Sequence, residues 1–498
     1  MTTTTATKKE FESYKRSIAK ARGLASVPKT SEFLASMSKR DRRALRTRPM
    51  RSASGICAIA IMTKPAPCPG NCTYCPSFDN APKSYTGDEP AALRAKQNNF
   101  DAEKQVAARV SQLEAIGHEP SKCELIVMGG TFAALTPQYQ KSFVKSAFDA
   151  FNERNSKTLE QAQKLNEKSE HRVTGLVFET RPDYCSAAQV KRFIEFGGTR
   201  IEIGVQSLDE AVLKKVRRGH GLKEVAEATK NCKDAFLKIT MHVMPGLYST
   251  PQKDAKQFEA LFSDERFKPD GLKIYPCLVI PNTPLYDEWR AGRFKPYDTA
   301  TAARAIALCK RFVPRYCRIM RVDRDIPVKR IAAGVDKSNL REIAKRELAS
   351  MGGECECIRC REAGFREIHG KGVDFSNPKL NRLDYEASGG REIFLSFDDE
   401  ESDSLLAFLR LRFNEDFDQK CGVRELRVCG EQIPVGKRRK GALQHESLGA
   451  KLLGEAERIA REEFGAKQLF VLSGVGARPY YRKRGYSLRD YYMVKKML

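Results

Sequence analysis

The sequence lacks any long hydrophobic run. Among its 498 residues, no apolar stretch approaches the roughly 18 residues that are needed to span a bilayer. The N-terminus, MTTTTATKKEFESYKR, has no apolar segment of the kind that a secretory signal requires. We therefore expect a cytoplasmic protein with no membrane partner, and the length predicts two or three domains rather than one core.

Acidic residues are too few to balance the basic ones. The chain carries 88 Lys and Arg against 63 Asp and Glu, which gives a formal net charge of +25 at pH 7. Residues 1–51 alone contain 14 basic and 4 acidic residues. Such an excess favours a polyanionic partner, with nucleic acid first, although a solvated tail is the simpler interpretation of the N-terminal segment. Charge alone does not separate RNA, DNA and anionic membrane, and no aromatic RNA-recognition signature is visible.

A disulfide framework is not expected, because a large chain without a secretion signal keeps its thiols reduced. The clustering of the fifteen cysteines matters more than their number. The loop PCPGNCTYCP places Cys68, Cys72 and Cys75 at the spacing C-x3-C-x2-C. Zinc would need a second matching pair, and buried structural thiols are unusual on a loop punctuated by Pro and Gly. Three thiolates on one loop suit a four-iron cluster that leaves one iron open.

Seven short apolar runs alternate with helical patterns between about residues 55 and 325. This alternation predicts βαβ units and an α/β fold with a parallel sheet, closed or open as a (β/α) barrel. The segments MGGT, ETRPD, GVQS and HVMPG each follow an apolar run, so they fall at the C-terminal ends of predicted strands. In α/β barrels, that rim carries the chemistry.

The cysteine loop after the first strand resembles that of radical S-adenosylmethionine enzymes. In that family the open iron of a 4Fe-4S cluster binds S-adenosylmethionine, and reduction yields a 5′-deoxyadenosyl radical. The resemblance assigns Gly129 and Gly130 to the methionine end of the cofactor, where glycine permits close backbone approach. Further candidates for cofactor binding come from the other rim segments, with ion pairs, caps or core packing as the alternatives: Glu179, Arg181, Gln206 and His242.

From about residue 386 the pattern becomes that of an α+β domain. Three predicted antiparallel strands precede an amphipathic helix whose apolar face carries Leu448, Leu452 and Ile459, and Gly465 marks its end. The junction resembles that of GNAT-type acetyltransferases, whose Q/R-x-x-G-x-G/A loop binds the pyrophosphate of CoA at a helix N-terminus. The resemblance assigns the following residues to CoA: Glu425, Leu426, Arg427, Val428, Gln444, Ser447, Leu448 and Gly449.

Two features of this domain depart from the pattern or allow another interpretation. Ser447 stands where such proteins have the first Gly of the loop, which puts the pyrophosphate site in question. Tyr480 and Tyr481, in SGVGARPYYRKRGY, lie where the family places a tyrosine that contacts CoA or protonates its thiolate. We assign them as catalytic, with Tyr480 also binding CoA, while ordinary packing is the alternative.

A third cysteine-bearing segment separates the two domains. CECIRC places Cys355, Cys357 and Cys360 at the spacing C-x-C-x2-C, which indicates a structural zinc site. His369 or a more distant residue would supply the fourth ligand, and free thiols are the alternative. The expected division is a basic tRNA-binding segment at 1–54, a radical S-adenosylmethionine domain at 55–325, a zinc linker at 326–385 and a GNAT-type domain at 386–498.

These parts, in this order, resemble the Elongator catalytic subunits of archaea and bacteria. The motifs that carry the resemblance include SYTGDEPAALRA, VMGGTF, ETRPDYC, RIEIGVQS, PDGLKIYP and SGVGARPYYRKRGY. The resemblance implies an enzyme that uses S-adenosylmethionine and acetyl-CoA to install a carboxymethyl group on carbon 5 of the wobble uridine of tRNA. It also implies binding of the anticodon stem-loop and a role for Lys122 at the acetyl-CoA site.

Other functions are compatible with parts of this pattern. The main alternative is a protein lysine acetyltransferase whose iron–sulfur cluster is structural. A third interpretation is a non-enzymatic tRNA-binding subunit, against which the open iron site argues. A homodimer or partner subunits of the Elongator type fit the family equally well.

Overall fold

The computed structural model describes residues 8–34, 37–324, 326–370, 372–415, 420–433 and 447–497. Gln444, which the sequence assigns to CoA binding, lies outside these ranges. Across the described ranges, we find no helix with the length and apolar character that a membrane crossing requires.

The first sheet confirms the predicted βαβ pattern. Seven parallel strands lie side by side in chain order, so that β1 and β7 are its two edges and the barrel is open. The strands are β1 (Cys57–Met62), β2 (Lys122–Met128), β3 (Arg172–Thr180), β4 (Arg200–Gln206), β5 (Lys238–Val243), β6 (Gly271–Ile274) and β7 (Arg318–Val322).

Helices cover the outer face of this sheet. They are α4 (Pro90–Gln97), α5 (Ala102–Ala115), α6 (Pro137–Asn152), α7 (Leu159–Asn166), α8 (Ala187–Glu195), α9 (Glu210–Lys215), α10 (Leu222–Asp234), α11 (Pro251–Ser263), α12 (Pro284–Arg290) and α13 (Thr299–Lys310). Helix α8 shows the expected pattern, because Ser186 and Gln189 form a capping box and Val190, Phe193 and Ile194 are buried. The ring of Phe193 stacks on Phe178 of β3 at 4.8 Å.

The second sheet has the order β13-β14-β12-β11-β10-β9-β8. Its strands are β8 (Lys379–Ala387), β9 (Gly390–Asp399), β10 (Ser404–Asn414), β11 (Lys420–Val428), β12 (Gln468–Val471), β13 (Ser487–Arg489) and β14 (Tyr492–Lys496), with helices α17 (Leu448–Glu462) and α18 (Arg478–Arg482). Strand β8 begins within the range expected for the linker. Strands β11 and β12 are parallel, because α17 crosses between them and returns the chain to the same end of the sheet.

The N-terminal segment is helical where the structure describes it. Helices α1 (Lys8–Ala21), α2 (Thr30–Leu34) and α3 (Lys39–Leu45) enclose a small core of Phe11, Leu34 and Leu45. The Lys15 ammonium donates to the Thr30 hydroxyl at 3.0 Å. This unit is therefore packed rather than a bare tail, and its role in tRNA binding stays a prediction.

The cysteine-bearing linker lies between the two sheets. Helix α14 (Leu340–Ser350) packs against α13, and α15 (Ile358–Arg361) and α16 (Ala363–Ile368) contact β10. A side chain at Gly364 would collide with the backbone oxygen of Ala53, so glycine is needed for this close approach.

Buried ion pairs join the sheets. Arg424 of β11 donates to Asp270, just before β6, at 2.9 Å and to Glu392 of β9 at 2.8 Å. Arg410 of β10 lies 3.5 Å from the same Asp270 carboxylate. All four side chains are at most 4% exposed, so each charge depends on the others for compensation.

Replacing Asp270 tests this junction. Asp270→Asn removes the one carboxylate that Arg424 and Arg410 share, and breaking a buried ion pair costs about 3–5 kcal/mol. Burial alone would raise the pKa of Asp270, but Arg424 and Arg410 hold it below its ordinary value. The stabilisation is therefore present at neutral pH and is lost as the pH falls below about 4. We expect a lower urea midpoint at pH 7.

Asp264→Asn is the matched control. Asp264 also pairs with an arginine, Arg266, at 2.6 Å, but that arginine is 61% exposed. Exposed pairs contribute little, so the urea midpoint should stay close to that of the parent protein. Equal midpoints for the two variants would contradict a junction held by buried charge.

Candidate active site: two cavities that share a wall

Two cavities of about 750 Å³ each lie on either side of the floor of the barrel. The barrel cavity occupies the lumen of the first sheet and reaches the loop with Cys68, Cys72 and Cys75. The junction cavity lies between the two sheets and reaches Tyr480 and Tyr481. The two groups of predicted site residues therefore belong to neighbouring cavities.

The cysteine loop leaves β1 and lines the barrel cavity. Arg218 donates to the Cys72 thiol at 3.3 Å, and the Cys68 thiol lies 3.6 Å from the Thr131 hydroxyl. Burial and the neighbouring Cys72 raise the pKa of Cys75 to about 11. Without a metal or cluster, the Cys75 thiol would stay protonated at neutral pH.

Unsatisfied donors around this loop fit an anionic group. Arg181 Nη1 and Arg218 Nε are buried with no hydrogen-bond partner in the described structure. A side chain at Gly70 would collide with the Arg181 guanidinium, so the loop approaches that cation as closely as glycine allows. A four-iron cluster with three thiolates would supply the missing negative charge, and the residues fit it.

Backbone strain marks the rim of the barrel cavity. Gly129 and Gly130 follow β2 with φ of 132° and 75°, and a side chain at Gly129 would collide with Thr63. Gln206, at the end of β4, has φ of 73° although it is not glycine. Such conformations are costly for ordinary residues and tend to occur at functional sites. The predicted cofactor residues Gly130 and Gln206 both line this cavity.

The lumen holds a compact charged network. Glu179 accepts from Tyr85 and from Lys273, each at 2.9 Å. Glu202 pairs with Lys273 and lies 3.1 Å from His242 Nε2. Although burial would lower it, the pKa of Lys273 is raised by Glu179 and Glu202, so the ammonium stays charged. Glu179, Glu202 and His242 lie close enough to hold a metal, but Lys273 already pairs with both carboxylates, and Arg200 pairs with Glu202 as well.

The junction cavity gathers the residues assigned to CoA. Lys122, at the start of β2, lines this cavity together with Glu425, Leu426, Arg427 and Val428 of β11. Burial lowers the pKa of Lys122 to about 8.

Tyr480 offers a buried hydroxyl to the same cavity. Its oxygen has no hydrogen-bond partner among the described residues, and Arg484 lies 3.6 Å above its ring. A side chain at Gly449 would lie 3.3 Å from this hydroxyl, so Tyr480 covers the first turn of α17. Tyr481 lines the cavity but is 6% exposed and packs on Tyr486. Of the two, Tyr480 is the donor that a ligand can reach.

Ser447 takes the conformation expected of the glycine that it replaces. Its φ of 58° lies in the left-handed region, and it caps α17. The departure from the GNAT pattern is therefore accommodated, at a cost in backbone strain. Leu448 is buried behind the loop in the core of the second sheet, whereas Ser447 and Gly449 line the cavity.

Glu124 lies in the wall between the cavities and lines both. Arg200 of β4 binds it through two hydrogen bonds of 3.0 Å. From the second sheet, Arg427 lies 3.8 Å from Glu124 and 3.4 Å from Glu425. Burial alone would raise the pKa of Glu124, but Arg200 and Arg427 hold it below its ordinary value. The wall is therefore charged, and each of its charges has a partner.

The linker thiols form a separate group. The sulfurs of Cys355, Cys357 and Cys360 all lie within 4.8 Å of one another. Thiolates that share one zinc at about 2.3 Å must lie this close, so the donor set fits zinc. His369 follows α16, is exposed, and does not belong to this group. The structure thus gathers three of the four predicted ligands.

Several site residues escaped the sequence analysis. Lys273, Arg218, Glu124 and Arg200 lie on different strands and loops, and each pairs with a residue far away in the chain. Lys273 and Arg200 occupy strand positions where apolar residues are the norm. A charged residue inside an otherwise buried strand was therefore the available signal.

The half-barrel and its cysteine loop define a radical S-adenosylmethionine domain. Residues 66–258 match the model of the radical SAM superfamily, and residues 269–350 match its C-terminal domain. Both matches fall on the first sheet and the start of the linker.

Close relatives extend over nearly the whole chain. A tRNA uridine(34) acetyltransferase of Methanocaldococcus infernus is 45% identical and covers 94% of this chain and 92% of its own. Elongator complex protein 3 of Danio rerio is 42% identical and covers 95% of this chain and 91% of its own. The solved structure of the archaeal Elp3 of M. infernus, with residues 1–46 deleted, aligns with a TM-score of 0.80 at 42% identity. The alignment covers 89% of this chain and 100% of that chain. The chain belongs to the family of Elongator catalytic subunits and tRNA uridine(34) acetyltransferases.

Removing the cluster cysteines tests the barrel cavity. Anaerobic reconstitution should give about four irons per chain, and Cys68→Ala, Cys72→Ala or Cys75→Ala should lose the cluster absorbance and the reductive cleavage of S-adenosylmethionine. Iron analysis and quantification of 5′-deoxyadenosine measure both effects.

Cys421→Ala provides the control, because Cys421 is a buried free thiol that belongs to β11 in the second sheet. It should keep full iron content and cleavage. Normal cleavage in a Cys68, Cys72 and Cys75 triple Ala variant would rule out the cluster assignment.

Proposed function

We propose that this protein uses S-adenosylmethionine and acetyl-CoA to install a carboxymethyl group on carbon 5 of the wobble uridine of tRNA. The observation that carries the proposal is the shared wall at Glu124. The barrel cavity is suited to a radical initiator and the junction cavity to a thioester. The ion pair between Glu124 and Arg200 lies in the wall between them. A protein whose two activities were independent would have no need for adjoining cavities.

The proposed reaction balances in three steps. When bound, the cluster supplies the electron that cleaves S-adenosylmethionine to methionine and a 5′-deoxyadenosyl radical. The acetyl methyl group gives a hydrogen atom to that radical, and its carbon forms a bond to carbon 5 of uracil. The uracil radical returns one electron to the source of the first electron and loses the proton on carbon 5, which restores the uracil with no net oxidation. Water then cleaves the thioester to release CoA and the carboxymethyl base.

The residues of the chain have distinct tasks in this proposal. Arg181 and Arg218 offer unsatisfied donors beside the cluster loop, and Gly130 and Gln206 shape the space for S-adenosylmethionine. The linker thiols would hold a structural zinc that fixes the junction.

In the junction cavity, Ser447 and Gly449 would present the first turn of α17 to the CoA pyrophosphate, with Lys122 close by. The Tyr480 hydroxyl would donate to the thioester sulfur, because it is buried and without a partner in the described chain. Burial raises the pKa of Tyr480 above its ordinary value, although Arg484 opposes the shift, so the phenol keeps its proton at neutral pH.

Glu425 is poorly suited to be the base of a lysine acetyltransferase. It accepts from Arg410 at 3.0 Å and lies 3.8 Å from Lys238. Burial would raise its pKa, but Lys238, Arg427 and Arg410 hold it below its ordinary value. A carboxylate bound to three cations does not readily take a proton from a lysine ammonium.

The release of CoA separates the tRNA-modifying enzyme from a protein acetyltransferase. We expect wobble-uridine tRNA to stimulate CoA thiol release from acetyl-CoA several-fold, and lysine-containing peptides to leave it unchanged. Tyr480→Phe removes the proposed sulfur donor, so it should lower this release by about a hundred-fold, the lower end of the range for a general acid, while S-adenosylmethionine cleavage persists. Tyr486→Phe, in the same domain but outside the cavity, is the control. Peptide stimulation with formation of acetyl-lysine would overturn the tRNA assignment.

Deuterium transfer tests whether the two cavities cooperate. With acetyl-CoA deuterated in its methyl group and tRNA present, 5′-deoxyadenosine should acquire deuterium, which mass spectrometry detects. Gly175 lies beside Glu124, where an added Cβ would be 3.5 Å from that side chain. Gly175→Leu should fill this space and reduce transfer. Gly454→Leu, at an open position of α17, should not. Modified uridine formed without deuterium in 5′-deoxyadenosine would contradict the coupling.

A further inference from the structure

The open side of the half-barrel is lined by arginines. Strands β1 and β7 are the free edges of the first sheet, and the described structure has no strand that joins them. Arg94 of α4 donates to the backbone oxygen of Ala60 in β1 at 2.6 Å. Arg341 of α14 donates to that of Ile319 in β7 at 3.0 Å. Each edge is therefore covered by an arginine rather than by another strand.

Further arginines lie next to these two and line the barrel cavity with them. We call the whole set the slot arginines: Arg48, Arg51, Arg94 and Arg109 beside β1, and Arg341 and Arg359 beside β7. The first four form no ion pair with a carboxylate of the described chain, whereas the lumen cations Lys273 and Arg200 each pair with glutamates.

Three of the four arginines beside β1, Arg51, Arg94 and Arg109, are buried or half-buried, so their charge is costly. Arg94 is 8% exposed, and its Nε has no hydrogen-bond partner in the described residues. Burial, together with repulsion from Arg51 and Arg94, lowers the pKa of Arg109 to about 10. Burial and repulsion from Arg51 lower the pKa of Arg94. Burial and repulsion from Arg48 lower the pKa of Arg51. All remain cations at neutral pH, so an anion between them would relieve a real penalty.

We propose that the slot arginines bind the phosphodiester backbone of the anticodon loop of tRNA as the wobble uridine enters the lumen from the open side of the barrel. This inference rests on the proposed function for the identity of the RNA. Arginine is suited to the task, because its planar fork binds phosphate through two hydrogen bonds and stays charged when partly buried.

Position and charge favour RNA over the two cofactors. The cluster loop follows the C-terminal end of β1. Arg109 lies at the other end of that strand, where its charge lowers the pKa of Cys57. The junction cavity has its own cations in Lys122, Arg427 and Arg484. A ligand that reaches both edge groups needs repeated negative charges along its length, as a nucleic acid backbone has.

Salt-dependent binding of a wobble-uridine tRNA transcript to the full-length, reconstituted protein tests the proposal. Arg51→Gln combined with Arg109→Gln should flatten the plot of log affinity against log salt by about 1.4, because each lost contact to a single-stranded phosphate removes about 0.7. The corresponding double Lys variant should keep most of the slope. Iron content and the melting curve report folding. If the double variant unfolds, Arg51→Gln alone should lower the slope by about 0.7.

Arg304→Gln with Arg311→Gln is the matched control, because it removes the same amount of charge. Arg304 lies on α13 and Arg311 at its end; both are exposed, and neither lines a cavity. The control should keep the parent slope, and the affinities for S-adenosylmethionine and acetyl-CoA should be unchanged in every variant. A slope equal to that of the parent in the double Gln variant would overturn the proposal, as would weaker cofactor binding with unchanged tRNA binding. If the parent protein itself fails to bind tRNA, the proposed function fails instead.

Discussion

The pairing of buried charges controls how this molecule is assembled. Arg200 and Lys238 lie on neighbouring strands at the floor of the half-barrel, where a cation without a partner would be prohibitively costly. Glu124 neutralises Arg200 from within the sheet, but Lys238 depends on Glu425 of the second sheet. The charges at the floor of the barrel are therefore all paired only when the second sheet is docked. This requirement holds the two sheets, and with them the two cavities, next to each other.

The same principle explains the contrast between the interior and the open side. Inside the lumen, Lys273 pairs with Glu179 and Glu202, and Arg200 also pairs with Glu202, so both carboxylates already have a cationic partner. Around the cluster loop, Arg181 and Arg218 keep buried donors unsatisfied, and along the open edge Arg51 and Arg109 have no described carboxylate. Along the described chain, arginines with unsatisfied donors or without a carboxylate partner thus line both places where an anionic group is proposed to bind, first the cluster and then RNA.

Local motifs predicted the parts of the site whose chemistry is contained in a few consecutive residues. The spacing of Cys68, Cys72 and Cys75 indicated a cluster loop, and the glycines after β2 indicated a rim with unusual backbone angles, which Gly129 and Gly130 have. Tyr480 was assigned to the acetyl-CoA side, and its unpartnered hydroxyl lies in the junction cavity. His369 was chosen for its nearness in sequence, but it does not join the linker thiols.

The sequence by itself determined the order and type of the elements, because strand and helix periodicities depend on neighbours only a few residues away. It also determined the cysteine spacings, for the same reason. Only the tertiary structure decided that the barrel is open between β1 and β7, that Glu124 lines two cavities, and that Lys273 neutralises Glu179. Those features come from contacts between residues that are far apart in the chain, and no local pattern encodes which distant charge will become a partner.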